Sequence, residues 1–482
     1  MNMTLPKYSD GIKTVVQTSF GGIDKRAGAG DGAIADMLNM TSDHYPVLST
    51  RGRRSSYDDF LKLGIDPYER NESFVAFVCD VSDVPYYLVI RYDDAAESYY
   101  LIAKTVDEDG SVRAAFVCEC EAASELIEDF LHPKAVAFNN RLIVFVNDRM
   151  WRVYRDKSNE MTCEQLECEV PVFDHVCVNR DRIWGTKANE IYCCASCEPG
   201  EWYRYSGTAA DSFYAQIPEV SFFTGIASYA GSVYFFTSEN VYRMYGTTPD
   251  AFSLVSLGIY GMDATESRSF GTAAQVLFYN SVLGPACFNG SSVQLIGHPL
   301  GEAIPRAVMG IGSADKYYMV ADKHLYVYDL HRRTWQVHSH AVSNDEVKHI
   351  GVFGGRVIIF ALDFAEYLHA VAGESLEYSR MPSHVEFADI SEGALYGVTP
   401  CELVVQTWLG EGAELSLSIS CDGGEWTRLW STTECGRHIH RVRFSPKTRC
   451  DYYRIRIDGV GEWKLYSLGR SYSVNSSTPY GE

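Results

Sequence analysis

A short strand pair recurs along this chain at intervals of roughly 40–50 residues, and this recurrence restricts the fold more than any other feature. Each copy has a turn, an apolar strand, two to five polar residues and a second strand rich in Tyr. One copy is Asn140-Arg141-Leu142-Ile143-Val144-Phe145 followed by Met150-Trp151-Arg152-Val153-Tyr154. Another is Gly231-Ser232-Val233-Tyr234-Phe235-Phe236 followed by Val241-Tyr242-Arg243-Met244-Tyr245. With Tyr86, Leu142, Ile183, Val233, Val276, Tyr317 and Val357 as anchors, the gaps are 56, 41, 50, 43, 41 and 40 residues. A small sheet of this kind cannot bury both faces alone. Neighbouring sheets stacked around an axis do so, and closing the ring leaves only short, protected edges. The spacing predicts a β-propeller of about seven blades, with six or eight also compatible. A pair of β-sandwiches would repeat strands every 8–12 residues or so, without the longer super-period.

Composition agrees with an all-β chain. There are 32 Tyr and 23 Phe in 482 residues, 46% of residues are hydrophobic, and few stretches have helical periodicity. The best helical candidate is Ala122-Ala123-Ser124-Glu125-Leu126-Ile127-Glu128-Asp129-Phe130-Leu131. No apolar run approaches the ~18 residues of a spanning helix, so no membrane partner is expected. Met1–Tyr8 has no apolar core of a secretory leader. Beyond Gly393 the texture changes to strict alternation, as in Glu414-Leu415-Ser416-Leu417-Ser418-Ile419-Ser420 and Tyr453-Arg454-Ile455-Arg456-Ile457. That pattern belongs to sheets with one buried face. The expected organisation is an extended N-terminal arm over 1–65, the propeller over 66–392, and a C-terminal antiparallel β-sandwich over 393–482.

The net charge of −21 argues against a protein that coats nucleic acid. Charge is unevenly placed: residues 66–130 carry 16 acids and 4 bases, whereas 437–456 carry 7 bases and 1 acid. Such asymmetry is usual on solvated surfaces and can also steer docking between copies or partners. Arg51, Arg53 and Arg54 follow the proline-stiffened Tyr45-Pro46-Val47-Leu48. In the C-terminal module Arg441 and Arg443 share one strand face, and Arg454 and Arg456 repeat the arrangement. If those two strands pair, four guanidiniums form one basic docking surface for an acidic partner or phosphate. The alternative is a plain solvated sheet face.

The remaining chemical candidates are weak. Fourteen cysteines suggest free thiols made in a reducing compartment. Cys194-Ala195-Ser196-Cys197 is a lone CxxC without the second pair that a zinc knuckle needs. His338-Ser339-His340 and His438-Ile439-His440 each place two rings on one strand face without a third metal ligand nearby. Gly28-Ala29-Gly30-Asp31-Gly32 lacks the Lys-Ser/Thr of a phosphate loop and reads as a turn. Ser420-Cys421-Asp422-Gly423-Gly424-Glu425-Trp426 resembles an Asp-box hairpin, which is a structural turn. No nucleophile elbow or His-Glu-x-x-His occurs. No catalytic residue, metal or cofactor is expected.

A family resemblance is carried by the arm. It reads Phe20-Gly21-Gly22-Ile23, then Asp36-Met37-Leu38-Asn39-Met40, then Tyr45-Pro46-Val47-Leu48-Ser49-Thr50-Arg51. This resembles the opening of β-propeller tail proteins of bacteriophages and prophages. Val241-Tyr242-Arg243-Met244-Tyr245-Gly246 before Thr248-Pro249 is similar to one of their blades, and Tyr452–Gly459 is similar to their end. The resemblance implies a structural virion protein like the tail hub, or packaged-DNA stabilisation protein, of short-tailed phages. It would be made in the host cytoplasm, form a ring with copies of itself, contact portal, adaptor and tail proteins, and touch DNA only non-specifically as a conduit. In that case Phe20, Gly22, Asp36, Asn39, Tyr45 and Pro46 form a blade-closing or neighbour-contacting segment. Two other functions are carried as alternatives. One is a carbohydrate- or receptor-binding propeller, with Trp408, Trp426, Trp430 and Trp463 as stacking residues. The other is a propeller-type glycosidase, which requires paired carboxylates across a pocket.

Overall fold

In the computed structural model the described residues are 11–26, 29–51, 54–55, 72–79, 85–93, 98–106, 112–120, 134–146, 148–158, 161–301, 306–307, 309–321, 324–339, 347–353, 356–361, 365–368, 381–394, 397–444 and 448–474, with the strands in 54–120 described by backbone course. Seven four-stranded antiparallel sheets follow one another along the chain as blades 1 to 7: residues 72–120, 134–166, 175–216, 225–256, 271–295, 309–339 and 347–368. The first strand of blade 7, Val347–Phe353, lies beside the first strand of blade 1, Glu72–Cys79, so the ring of blades closes. The fold is therefore a seven-bladed β-propeller joined to a β-sandwich. Among the described residues helix is confined to the short 3₁₀ turns Pro249–Ala251, Ala264–Glu266 and His298–Leu300. The helical candidate over 122–131 lies outside the described residues.

The blades are held by apolar side chains wedged between neighbours. Phe138, Phe145 and Met150 of blade 2 pack with Ile183 and Tyr192 of blade 3. Trp184 and Ile191 of blade 3 meet Val233 and Phe235 of blade 4. Tyr229, Tyr234 and Phe236 meet Leu277, Tyr279 and Phe288 across the next gap, and Val320 and Leu325 of blade 6 meet Ile350 and Val357 of blade 7. This explains the sequence recurrence. In blades 2 to 6 strands two and three supply the aromatic and β-branched wedge, so their pattern returns from blade to blade. Removing apolar area from water at about 25 cal/mol per Å² makes these wedges the main source of ring stability.

The arm is not a separate extension. Ile34–Leu38 pairs with Pro382–Phe387, while Lys13–Gln17 and Leu48–Thr50 both pair with Trp463–Val474. The sandwich consists of two sheets. One runs Met40–Thr41, Leu48–Thr50, Trp463–Val474, Val398–Leu409, Gly436–Arg443, with Lys13–Gln17 also on Trp463–Val474. The other runs Ile34–Leu38, Pro382–Phe387, Tyr453–Val460, Glu414–Cys421, Thr427–Thr432. Their inner faces share one core, with Val385, Leu403, Val405, Leu415, Ile455 and Leu468 all buried. The sandwich thus starts at Pro382, ahead of the expected boundary at 393, and draws its remaining strands from residues 13–50. Arg54–Ser55 goes further and becomes the fourth strand of blade 7, pairing with Tyr367 and Leu368. A two-residue strand from the start of the chain therefore completes the last blade.

Between those strands the chain crosses the outer strand of blade 6, Thr334–Ser339. The Ile23 N–H donates to Trp335 O at 2.7 Å, and the Asn39 N–H donates to Val337 O at 2.9 Å. The approach at Gly22 is so close that a Cβ there would lie 2.2 Å from Trp335 O. Asn39 is fully buried with a left-handed backbone (φ 56°), a conformation that Asn tolerates better than most residues. Its amide group donates to Ser339 Oγ and Pro382 O, and its Oδ1 accepts from the Arg51 guanidinium and the Ser339 N–H. One side chain thus joins blade 6, the sandwich and the strand leaving for blade 7. Asn39→Ala would leave several of these groups unpaired, at about 1–3 kcal/mol each. Gly22→Ala would force the arm off Trp335, at about 1–3 kcal/mol. Both variants should lower the urea midpoint measured by Trp fluorescence, and an unchanged midpoint in Asn39→Ala would refute this account of the seam.

Candidate functional site

The residues that carried the resemblance take up positions along this seam. Phe20 is buried against Phe387, with ring centroids 6.2 Å apart. Asp36 faces His384 across the sheet, 2.9 Å from its Nε2. Burial opposes ionisation of Asp36, but the His384 hydrogen bond and the charges of His384 and Lys25 prevail and hold its carboxyl below the usual value. Pro46 O accepts the Phe20 N–H at 3.1 Å, and Tyr45 lies exposed beneath the Arg332 guanidinium. These six residues therefore do not close a blade. That task falls to Arg54–Ser55, the stretch that among the described residues pairs with the open edge at Tyr367 and Leu368.

The basic residues separate instead of tiling one surface. Arg441 and Arg443 lie on Gly436–Arg443, which pairs with Val398–Leu409 in the six-stranded sheet. Arg454 and Arg456 lie on Tyr453–Val460, which pairs with Pro382–Phe387 and Glu414–Cys421 in the other sheet. The two strands do not pair, so the four guanidiniums occupy different sheets. Each also has an acidic neighbour: Glu402 for Arg441 and Arg443, and Glu386 for Arg454 and Arg456. Arg51 is buried in the seam, while Arg53 lies outside the described residues and Arg54 is described by its backbone pairing. The side chains of the acidic run 66–130 are also outside the described residues.

The other singled-out groups serve the scaffold. Trp463 is fully buried and donates to Ser383 Oγ at 2.8 Å, and Trp408 and Trp426 lie under Lys464 and Arg454. Trp430 packs on His440, with ring centroids 4.2 Å apart. Cys193 and Cys194 are buried, and burial pushes the Cys194 thiol up to about 12. His338 is buried on blade 6, and His340 is outside the described residues. Asp422, at a left-handed turn (φ 50°), accepts the N–H groups of Asp451 and Tyr452, so the Asp-box-like stretch is a turn. Arg470 and Glu392 form a buried ion pair, with side-chain exposures of 2% and 3%, and Tyr453 donates to Glu392 Oε1 at 2.7 Å. Among the described residues no group of three or more His, Cys, Asp or Glu is arranged to hold a metal ion.

A different feature stands out on blade 3. Residues 194–212 form a long connection between Glu190–Cys193 and Phe213–Gln216, where blades 1, 2, 4, 5 and 6 join the same two strands through four to seven residues. The insertion is rigidly built. Buried Arg182 donates to the carbonyls of Cys194, Ala209 and Asp211 at 2.6–2.8 Å. Asp211 accepts from Ser206 Oγ, Thr208 Oγ1 and the N–H groups of Gly207 and Thr208. Those bonds, led by the Thr208 hydroxyl, outweigh burial and hold its carboxyl well below the usual carboxylate range. Trp202 plugs the loop into the core beside Phe173, with ring centroids 4.7 Å apart.

The loop presents Tyr203 and Tyr205 to solvent, beside Tyr214 on the outer strand. Tyr214 lies opposite Tyr192 across the strand pair, with ring centroids 5.1 Å apart. Both phenols donate to Glu190, Tyr192 to Oε2 at 2.8 Å and Tyr214 to Oε1 at 2.9 Å. Tyr205 is near both Tyr203 and Tyr214, and Glu190 is near Tyr203 and bonded to Tyr214, so these side chains form a surface that could stack against a flat ligand and accept its protons. Sequence reasoning did not single out these residues. The clue available was the 50-residue gap between Ile183 and Val233, longer than the gaps of 40–43 that surround it.

No family model matches the chain, and no curated protein matches it. Among solved structures it is similar to the extracellular domain of the two-component system BT4673 from B. thetaiotaomicron (10% identity, TM-score 0.44) over 63% of this chain and 39% of that one. It is also similar to the Neurospora crassa Pan2 WD40 domain (10% identity, TM-score 0.39) over 66% of this chain and 94% of that one. PorZ of Porphyromonas gingivalis is a third (12% identity, TM-score 0.36) over 78% of this chain and 45% of that one. The matched part thus spans about two fifths of the BT4673 chain and less than half of PorZ.

Asp211 gives the loop a pH signature. Because its folded carboxyl is held below the unfolded value of about 4, its contribution is present above that pH and is lost as pH falls toward the depressed folded value. Amide exchange across 203–212 should accelerate in Asp211→Ala at pH 7, and the difference from the parent should shrink below about pH 4. Equal exchange at pH 7 would show that Asp211 does not hold the loop.

Proposed function

We propose that this chain is a non-catalytic structural protein of a bacteriophage-type tail, acting as a hub or connector subunit that forms a ring with copies of itself next to the portal and adaptor. The observation that carries this reading is the seam. Phe20, Gly22, Asp36, Asn39, Tyr45 and Pro46 carried the resemblance in sequence order, and in the fold all six lie where the sandwich meets blade 6. A motif set that builds architecture instead of a pocket is what a structural component requires. The non-catalytic reading is supported by the buried ionisable groups. Arg470, Glu392, Asp211 and Arg182 are each engaged in contacts that hold the backbone in place.

In this reading the packaged DNA meets the ring only as a non-specific passenger, and the strongly acidic composition keeps a passing duplex from sticking. Receptor binding is a second reading, favoured by the aromatic surface of blade 3. Native mass spectrometry and negative-stain imaging of the purified chain, alone and with a candidate portal–adaptor complex, separate the two. A closed ring in either sample is the expected result. A chain that stays monomeric in both overturns the hub assignment and leaves the receptor-binding reading in its place.

A further inference from the structure

We propose that the outer face of blade 3 is a glycan-binding platform, on which Tyr203, Tyr205 and Tyr214 stack against β-linked, gluco-configured pyranose rings while Glu190 accepts hydroxyl or acetamido protons. The three residues are 45%, 58% and 42% exposed, far more than an aromatic residue placed for core packing. A pyranose with equatorial substituents has two flat C–H faces and a polar rim. Exposed phenol rings neighboured by a hydrogen-bonding carboxylate complement that shape.

The polar part of the platform is equally specific. Each Glu190 oxygen holds one phenol and retains a further acceptor direction for a ligand proton. The Tyr214 phenol is held protonated by its bond to Glu190, so its oxygen can also accept from a ligand. The platform is preorganised on both sides, because the outer strands fix Tyr192 and Tyr214 while the Arg182 and Asp211 contacts fix the loop bearing Tyr203 and Tyr205. Binding would therefore incur little ordering cost.

Other ligand chemistries fit less well. A quaternary ammonium cage needs rings standing around a gap, but Tyr192 is buried directly against Tyr214. A nucleic acid would bring phosphates against Glu169 and Glu190, both close to Tyr203. The inference does not rest on the tail assignment, since ring formation is measured separately.

The test is calorimetric titration of the full chain with cellohexaose and with chitohexaose. At least one should bind, and Tyr205→Ala and Tyr214→Ala should each weaken that binding about fivefold while far-UV circular dichroism shows the chain still folded. Tyr214→Phe keeps the ring and loses the Glu190 bond, so it should retain more affinity than Tyr214→Ala. The proposal is overturned if neither hexaose binds at millimolar concentration, or if both alanine variants bind as the parent does. Loss of ring assembly in the alanine variants, with silent sugar titrations, would overturn it in favour of a protein contact.

Discussion

Everything in this molecule depends on one stretch of chain being pinned at three places. Residues 13–55 give strands to both sheets of the sandwich, cross the outer strand of blade 6 and then complete blade 7. Asn39 is the pivot, because its buried amide bonds at once to Ser339 of blade 6, Pro382 of the sandwich and Arg51 of the departing strand. A hydrogen-bonded side chain in this position resists displacement, since each partner left unpaired in a dry site would cost free energy. The propeller and the sandwich consequently share a core, with Trp335, Tyr328 and Phe278 in the same apolar cluster as Phe387 and Leu468.

The pin also solves a topological problem. A ring of sheets built in sequence leaves its last blade with an open edge, and an open edge invites pairing with other chains. Here the last blade takes its fourth strand from residues near the start, so the two ends of the ring are locked by backbone pairing. The contribution is only two residues long, but it follows directly from Arg51, which the seam holds in place. Fixing the seam and closing the ring are thus one event, in which long-range contacts replace loop entropy.

On this scaffold the long insertion of blade 3 is a distinct element. Its backbone carbonyls converge on Arg182 and its turn wraps Asp211, so the surface loop is held by hydrogen bonds of its own. Rigid loops on rigid scaffolds are where proteins place recognition. The exposed Tyr side chains are carried outward by this construction, whereas the Trp residues of the sandwich are buried in the core, stacked on His440 or covered by the Arg454 and Lys464 cations.

How much of this was legible depends on the range of the interaction. The blade repeat could be read from Leu142, Ile183, Val233 and their counterparts, because each blade must bury its own central hairpin and local alternation records that need, whereas the count of seven, rather than six or eight, came from the fold. The alternating strands of the sandwich were legible for the same reason. The role of the arm was not, since Ile34–Leu38 finds its partner at Pro382–Phe387, over 300 residues away, and nothing in its local pattern encodes that pairing. Likewise Arg441 and Arg454 look equivalent as alternating residues, yet which sheet each strand joins is settled by pairing across the whole module. The Tyr cluster belongs to the same class: Tyr192 and Tyr214 meet only once their strands pair, and Tyr205 joins them only because Arg182 and Asp211 fold the loop. Local periodicity, readable along the chain, set the all-β class, the blade repeat and the sandwich texture. Tertiary structure alone decided the seam, the closing strand and the aromatic surface, because long-range pairing and packing, which leave no local period, bring those residues together.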